Sequence, residues 1–207
     1  MNFNQYCTDG VALYDNFAQM VADCLEDAIR KETTLRLQAA LHRAKAPASL
    51  QKKLERDGAL ERPDIEEVIK DLAGCRLIFY TNSDVDGFRG SDILHGHFKI
   101  DWDRTKIHHP VPLATARPKL FSSHNFVVEL GEELATQPEL ARFKGLRCEV
   151  QVQTILNHAW SEMEHDILYK KPNLDGFGGQ VMLSIDERLQ KIMREYLIPA
   201  GHEFQKV

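Results

Sequence analysis

The chain has 207 residues, of which 43% are hydrophobic and 28% charged, with a formal net charge of −5. That length buries one sizeable core and that composition excludes disordered and fibrous classes, so one domain over residues 1–207 is expected, without a broad electrostatic footprint for DNA. No stretch approaches the roughly 20 apolar residues of a membrane span, and the N-terminal MNFNQYCTDG lacks the basic-then-apolar pattern of a signal peptide, so the expected setting is the cytoplasm, away from membranes.

From Val11 to Lys31, Leu13, Phe17, Val21, Leu25 and Ile29 recur at helical spacing between charged residues, which predicts an amphipathic N-terminal helix. Thr33–Ala44 begins with the alternating TTLRLQ and is closed by Pro47, so it reads as a strand, although LQAALHRA alone also suits a helix. Pro47–Arg56 has proline at a helix start and a stop at Asp57-Gly58; Pro63–Leu72 repeats the pattern, with acids in its first turn and Gly74 beyond its end. The strand CRLIFYT follows.

Between Asn82 and Lys119, glycines and prolines punctuate the chain; only Asp84–Leu94 reads as helical, and the second half reads as a long functional loop. A strand at Asn125–Leu130, an acidic helix at Glu132–Phe143 and a cleanly alternating strand at Leu146–Thr154 come next. Ile155–Lys171 reads as a helix, PNLDGFGG as a break and Val181–Tyr196 as a final amphipathic helix. The interleaving predicts an α/β (α+β) mixed sheet flanked by helices, with a core at about 33–171. The four cysteines, Cys7, Cys24, Cys75 and Cys148, form no CxxC pair and are read as thiols.

Two acids on neighbouring strands are the usual way to hold Mg2+ against substrate phosphates, and Asp71 and Glu149 fit that role by type; their spacing alone does not make them meet. Arg43 and Lys45 lie two apart on a predicted strand, and Lys52 or Lys53 lies three or four before Arg56 on the next helix, which makes either a cationic wall for a triphosphate or a solvated face. His158, Glu162, His165 and Tyr169 line one unusually polar helix face, which suits a ligand or an interaction surface. Trp160 is read as core.

At these residues the sequence resembles the synthetase domain of the RelA/SpoT family, which makes the alarmone (p)ppGpp. The resemblance is carried by HRAKAPASLQKKLER, DLAGCRLIFY, FSSHNFVVEL and above all LRCEVQVQTILNHAWSEMEHDILYKK, in the family's order over about residues 40–171. It implies a nucleotidyltransferase-like sheet and a Mg2+-dependent pyrophosphokinase that moves the β,γ-pyrophosphate of ATP to a ribose 3′-hydroxyl, normally of GDP or GTP. Carried over by position, Asp71 and Glu149 become metal ligands and catalytic groups, and Arg43, Lys45, Lys53, Arg56 and Arg76 the ATP-binding set. The acceptor set becomes Phe121, Ser123, Asn125, Gln151, Gln153, His158 and His165.

The departures concern the acceptor. Where the family has Gly-Tyr-Arg-Ser-Leu-His, this chain has Leu120 to Asn125, and where it has Glu-x-Gln-x-Arg-Thr this chain keeps Glu149 and Gln151 but places Gln153 at the arginine. Phe121 keeps a ring face for stacking a base. An insertion with Lys99, Trp102, Arg104, Lys106, His108, His109, Arg117 and Lys119 either replaces the lost charge or is a solvated loop. Three readings therefore stay open: a synthetase acting on guanine nucleotides, a toxin-type synthetase acting on adenine nucleotides or the tRNA 3′ end, and a catalytically silent nucleotide-binding or sensing module. The C-terminal helix is expected to serve a homo-oligomer contact or a further domain.

Overall fold

The computed structural model describes residues 1–32, 34–108, 122–164 and 179–206. After a short helical lead-in, helix α1 (Val11–Lys31) runs as expected and buries Tyr14, Phe17, Val21, Leu25 and Ile29. Strand β1 (Leu37–Ala44), helix α2 (Pro47–Arg56), the single turn α3 (Ile65–Val68) and strand β2 (Ala73–Phe79) follow. Next come α4 (Asn82–Gly90), α5 (Ile93–His97), β3 (Phe98–His108) and β4 (Ser123–Leu130). The last described elements are α6 (Glu132–Ala135), β5 (Cys148–Thr154), α7 (Ile155–Glu164), α8 (Gly179–Ile192) and α9 (Ile198–Phe204).

The described strands form one mixed sheet in the order β1-β2-β5-β4-β3, in which β2 and β5 are parallel and the other neighbours antiparallel. Its two faces differ in chemistry. Cys75, Leu77, Phe79, Cys148, Val150, Val152, Phe126 and Val128 alternate onto the face that joins α1 in the main core. Gly74, Arg76, Glu149, Gln151 and Asn125 fall on the other face.

Several elements differ from the sequence expectation, each for a local reason. The helix expected over Pro63–Leu72 is only the turn Ile65–Val68, because Ile69 is already extended and the Leu72 carbonyl accepts from the Lys45 N–H at 2.9 Å, continuing the β1–β2 pairing. The Asp84–Leu94 helix starts earlier, at a Thr81–Asp84 capping box, and stops at Gly90 before Ser91 turns extended. The expected long loop contains β3. Its alternation is hidden by a bulge: Asp101 pairs with Val127 and Lys106 with Asn125, so five residues along β3 match two along β4.

Pro138 divides the helix expected at Glu132–Phe143 into α6 and a 3-10 segment, Pro138–Phe143, with Gln137 extended before it. At the C-terminus the helical run reaches Phe204, passing through a π-type turn at Met193–Leu197 just before Pro199, a residue that has no N–H to continue a regular ladder. The strand expected from Thr33 begins at Leu37. Residues 165–171 of the helix expected at Ile155–Lys171 lie outside the described residues, as does the PNLDGFGG break up to residue 178.

Candidate functional site

The site is built on the polar face of the three strands at one edge of the sheet. Period-two alternation along β5 sends Glu149, Gln151 and Gln153 to the face opposite Val150 and Val152. Register then sets Glu149 beside Gly74 and Arg43, and Gln151 beside Arg76 and Leu41. A cleft of about 530 Å3 opens over this face and is lined by Arg43, Lys45, Asp71, Arg76, Glu149, Gln151 and His158, among others. Eight of the residues singled out from sequence, these seven and Glu162, on β1, β2, β5, α7 and the two segments flanking β1 and β2, thus meet in one place.

Asp71 precedes β2 in the extended segment after α3. Lys45, just past β1, donates to one of its oxygens at 2.5 Å, and Lys53 on α2 to the other at 3.0 Å. Burial pushes the Asp71 carboxyl up, but the two lysines outweigh it and hold it below the usual aspartate value. Tyr6, fully buried, donates its hydroxyl to the Lys45 carbonyl at 2.7 Å and so anchors the backbone that carries this lysine. Nothing in the sequence marked Tyr6.

Glu149 is buried, and its two oxygens have different partners: the Lys70 ammonium lies 2.7 Å from one, and Gln151 Nε2 donates to the other at 3.0 Å. Sequence reasoning also missed Lys70. Its only signal was that it adjoins Asp71, on the side that faces β5 once the expected helix is unwound.

Arg76 is held from three sides. Its Nε donates to Gln151 Oε1 at 3.1 Å, while its Nη1 lies 3.1 Å from His158 Nδ1 and donates to Glu162 Oε1 at 2.5 Å. His158 and Glu162 are one helical turn apart on α7, so the polar face seen in the sequence does turn onto the cleft. Burial lowers the His158 pKa, and Arg76 lowers it further against the opposing pull of Glu162. A neutral ring with its proton on Nε2 then accepts at Nδ1 from Arg76 and from Gln153 Nε2, 3.3 Å away.

Other sequence candidates lie elsewhere. Arg56 sits on the exposed end of α2 with its guanidinium on Asp57 at 2.8 Å, and it is not among the described residues lining the cleft. Asn125 pairs in register with Gln151, and Ser123 Oγ donates to Asn125 Oδ1 at 3.0 Å, so both continue the polar face onto β4 without lining the cleft. Gln153 is 2% exposed and reaches the site through His158. In β3, Lys106 pairs with Asn125, whereas Arg104 is committed to Asp101 and Glu67, and Trp102 packs against His95 and Phe126. Phe121 and His165 lie outside the described residues, as do His109, Arg117, Lys119, Tyr169 and Lys170.

Among the described residues no group of three or more His, Cys, Asp or Glu side chains comes together as a metal site. The donor chemistry still suits Mg2+, because that ion binds through one or two carboxylates and completes its shell with substrate phosphates and water. Asp71 and Glu149 share the cleft, and each carboxylate rests against a positive charge, Lys45 and Lys53 on Asp71 and Lys70 on Glu149. Among the described residues no helix is long and apolar enough to cross a membrane.

The family described as "Region found in RelA / SpoT proteins" matches residues 42–173. The chain is similar to the GTP pyrophosphokinase YwaC of Bacillus subtilis, with 27% identity over 132 residues that make up 63% of this chain and 58% of that one. It thus spans little more than half the length of that curated relative. In structure it is similar to small alarmone synthetase 1 from Bacillus subtilis, with a TM-score of 0.73 and 17% identity over 98% of this chain and 95% of that one. The same synthetase bound to its product pppGpp matches with a TM-score of 0.71 and 16% identity, covering 98% of this chain and 96% of that one.

Proposed function

The chain belongs to the RelA/SpoT family, and from that premise we propose that it is a Mg2+-dependent pyrophosphokinase that transfers the β,γ-pyrophosphoryl group of ATP to the ribose 3′-hydroxyl of a guanine nucleotide. The observation that carries this reading is the convergence of Asp71 and Glu149 with Arg43, Lys45 and Arg76 on one cleft. Such a transfer needs little covalent help from the protein. It needs positioning, neutralisation of phosphate charge and removal of one proton.

In this reading Arg43, Lys45, Lys53 and Arg76 bind the triphosphate, the two arginines with planar forks and the lysines as point charges. Lys45 and Lys53 exchange Asp71 for phosphate oxygens when ATP enters. Asp71, with Glu149, would hold Mg2+, which supplies neutralisation of the charge that builds on the transferred phosphates. Glu149 lies by the acceptor and takes the proton of its 3′-hydroxyl as the oxygen attacks the β-phosphorus. The bond from that phosphorus to the α,β-bridging oxygen breaks, and AMP leaves with the electron pair. Asn125 and Gln153 extend the acceptor side along the sheet, with a neutral amide where the family carries an arginine.

The test is incubation of the full chain with Mg2+, ATP labelled in its terminal phosphates and separate pools of GDP, GTP, ATP and tRNA. Label moving to GDP or GTP with release of AMP is the expected result. Label moving only to ATP or tRNA would make it a synthetase of another acceptor class. Absence of transfer to all four would leave a nucleotide-binding module.

A further inference from the structure

The polar face of α7 is more than a wall of the cleft. Arg76 is read above as a triphosphate ligand, yet in this structure its Nη1 donates to the Glu162 carboxylate at 2.5 Å, and Nε and Nη1 also meet Gln151 and His158. A carboxylate oxygen takes from a guanidinium N–H the same charge-assisted hydrogen bond that a phosphate oxygen does. Glu162 therefore stands, on Arg76, where a phosphate oxygen would stand.

The two ends of this pair are unequal. The Arg76 side chain is 20% exposed and is fixed by β2 and its two neutral partners, whereas the Glu162 side chain is 55% exposed and hangs from the surface of a helix. Glu162 swings away at the cost of one solvent-facing ion pair, while Gln151 and His158 keep the guanidinium aimed into the cleft. An ion pair this exposed is weak, which is the strength expected of a contact that a ligand displaces.

We propose that Glu162 is a built-in competitor for the nucleotide phosphate at Arg76: its carboxylate neutralises the guanidinium while the cleft is empty of anion and sets a threshold that an incoming triphosphate must exceed. The ligand class is a polyphosphate, and the inference rests on the reading of Arg76 given above. It differs from a purely structural role in sign. If Glu162 only positioned Arg76, removing its charge would weaken binding; as a competitor, its removal strengthens binding.

The experiment is calorimetric titration of the full chain with a non-hydrolysable ATP analogue and Mg2+, for the native sequence, Glu162→Gln, Arg76→Gln and the double variant. Glu162→Gln is expected to bind about two- to five-fold tighter, the fold equivalent of a half-exposed ion pair. It should give no gain in the Arg76→Gln background, because the competitor then has no target. Unchanged or weaker binding by Glu162→Gln, with its unfolding temperature intact, overturns the inference, as does an equal gain in the Arg76→Gln background. Transfer assays on the same samples separate the two readings. Native transfer without a gain in Glu162→Gln sinks only this inference, tighter analogue binding without transfer sinks only the enzyme reading, and no binding by any form sinks both.

Discussion

Replacing Lys70 by methionine tests the least visible part of the site. Its ammonium lies 2.7 Å from Glu149, and the two side chains are 22% and 7% exposed. Removing one member of a fully buried pair costs about 3–5 kcal/mol, because the other charge is left alone in a medium of low polarity. Two features reduce that figure. Lys70 is partly wet, and Glu149 keeps the hydrogen bond from Gln151 Nε2 at 3.0 Å. Methionine also retains most of the packing of the lysine stem.

A loss of about 1–3 kcal/mol is therefore expected for Lys70→Met, which for a domain of this size lowers the unfolding temperature by roughly 2–12 °C. Differential scanning calorimetry at neutral pH reads it. The double variant Lys70→Met with Glu149→Gln should recover much of the loss, since neither charge then remains. A neutral Lys70→Met, or a double variant as unstable as the sum of the singles, would refute the pairing as a buried and coupled one.

Glu149→Gln and Asp71→Asn should each lower transfer at least about 100-fold in the labelled-ATP assay, because each removes a charge that no neighbour replaces. Calorimetry as acid is added gives a second check. The Asp71 carboxyl is lower in the folded chain than the roughly 3.9 of an unfolded aspartate, so its stabilising contribution is complete above that pH and is lost as the pH falls through the folded value. The stability advantage of the native chain over Asp71→Asn should therefore shrink below about pH 4 and not above it. Arg147→Ala should cost about 1–3 kcal/mol by thermal unfolding, because its guanidinium meets Glu129 at 3.0 Å, Glu67 at 3.2 Å and Asp101 at 3.8 Å, and Glu129 would lose that cation while Glu67 and Asp101 shared Arg104. Raising the salt concentration should recover part of that loss.

What the sequence disclosed and what it hid follow a physical line. Helix α1 and strand β5 were readable because each sets apolar residues on one face and polar ones on the other, so the period of that alternation is written into the residues. Strand β3 was not, since its bulge between Asp101 and Lys106 destroys the period and its charges resemble those of a loop. The segment 69–72 was misread as helix because local propensity favoured one, while the backbone of Leu72 was already bonded to Lys45, 27 positions earlier in the chain. The same error concealed Lys70. Long-range pairing decides both cases, and a window along the chain carries no information about it. Asp71, Glu149 and the cations were nominated by type and family position, but their meeting in one cleft depends on β2 and β5 being parallel neighbours although 68 residues separate the ends of Phe79 and Cys148 on the sequence.

The pairing of charges across the cleft also explains how an acidic protein maintains a cationic site. Lys45 and Lys53 rest on Asp71, Lys70 on Glu149 and Glu162 on Arg76, so no half-buried ion among these has to be folded without a partner. The arrangement fixes what can enter. A polyphosphate arriving alone would draw the lysines away and strand two carboxylates; a divalent cation arriving alone would draw the carboxylates away and strand three ammonium groups. Only the two together give the lysines, Arg76, Asp71 and Glu149 new partners, and they release only Glu162, which faces solvent. Nucleotide and cation should therefore enter as a complex, each raising the other's affinity by the cost of the charges it would otherwise leave alone.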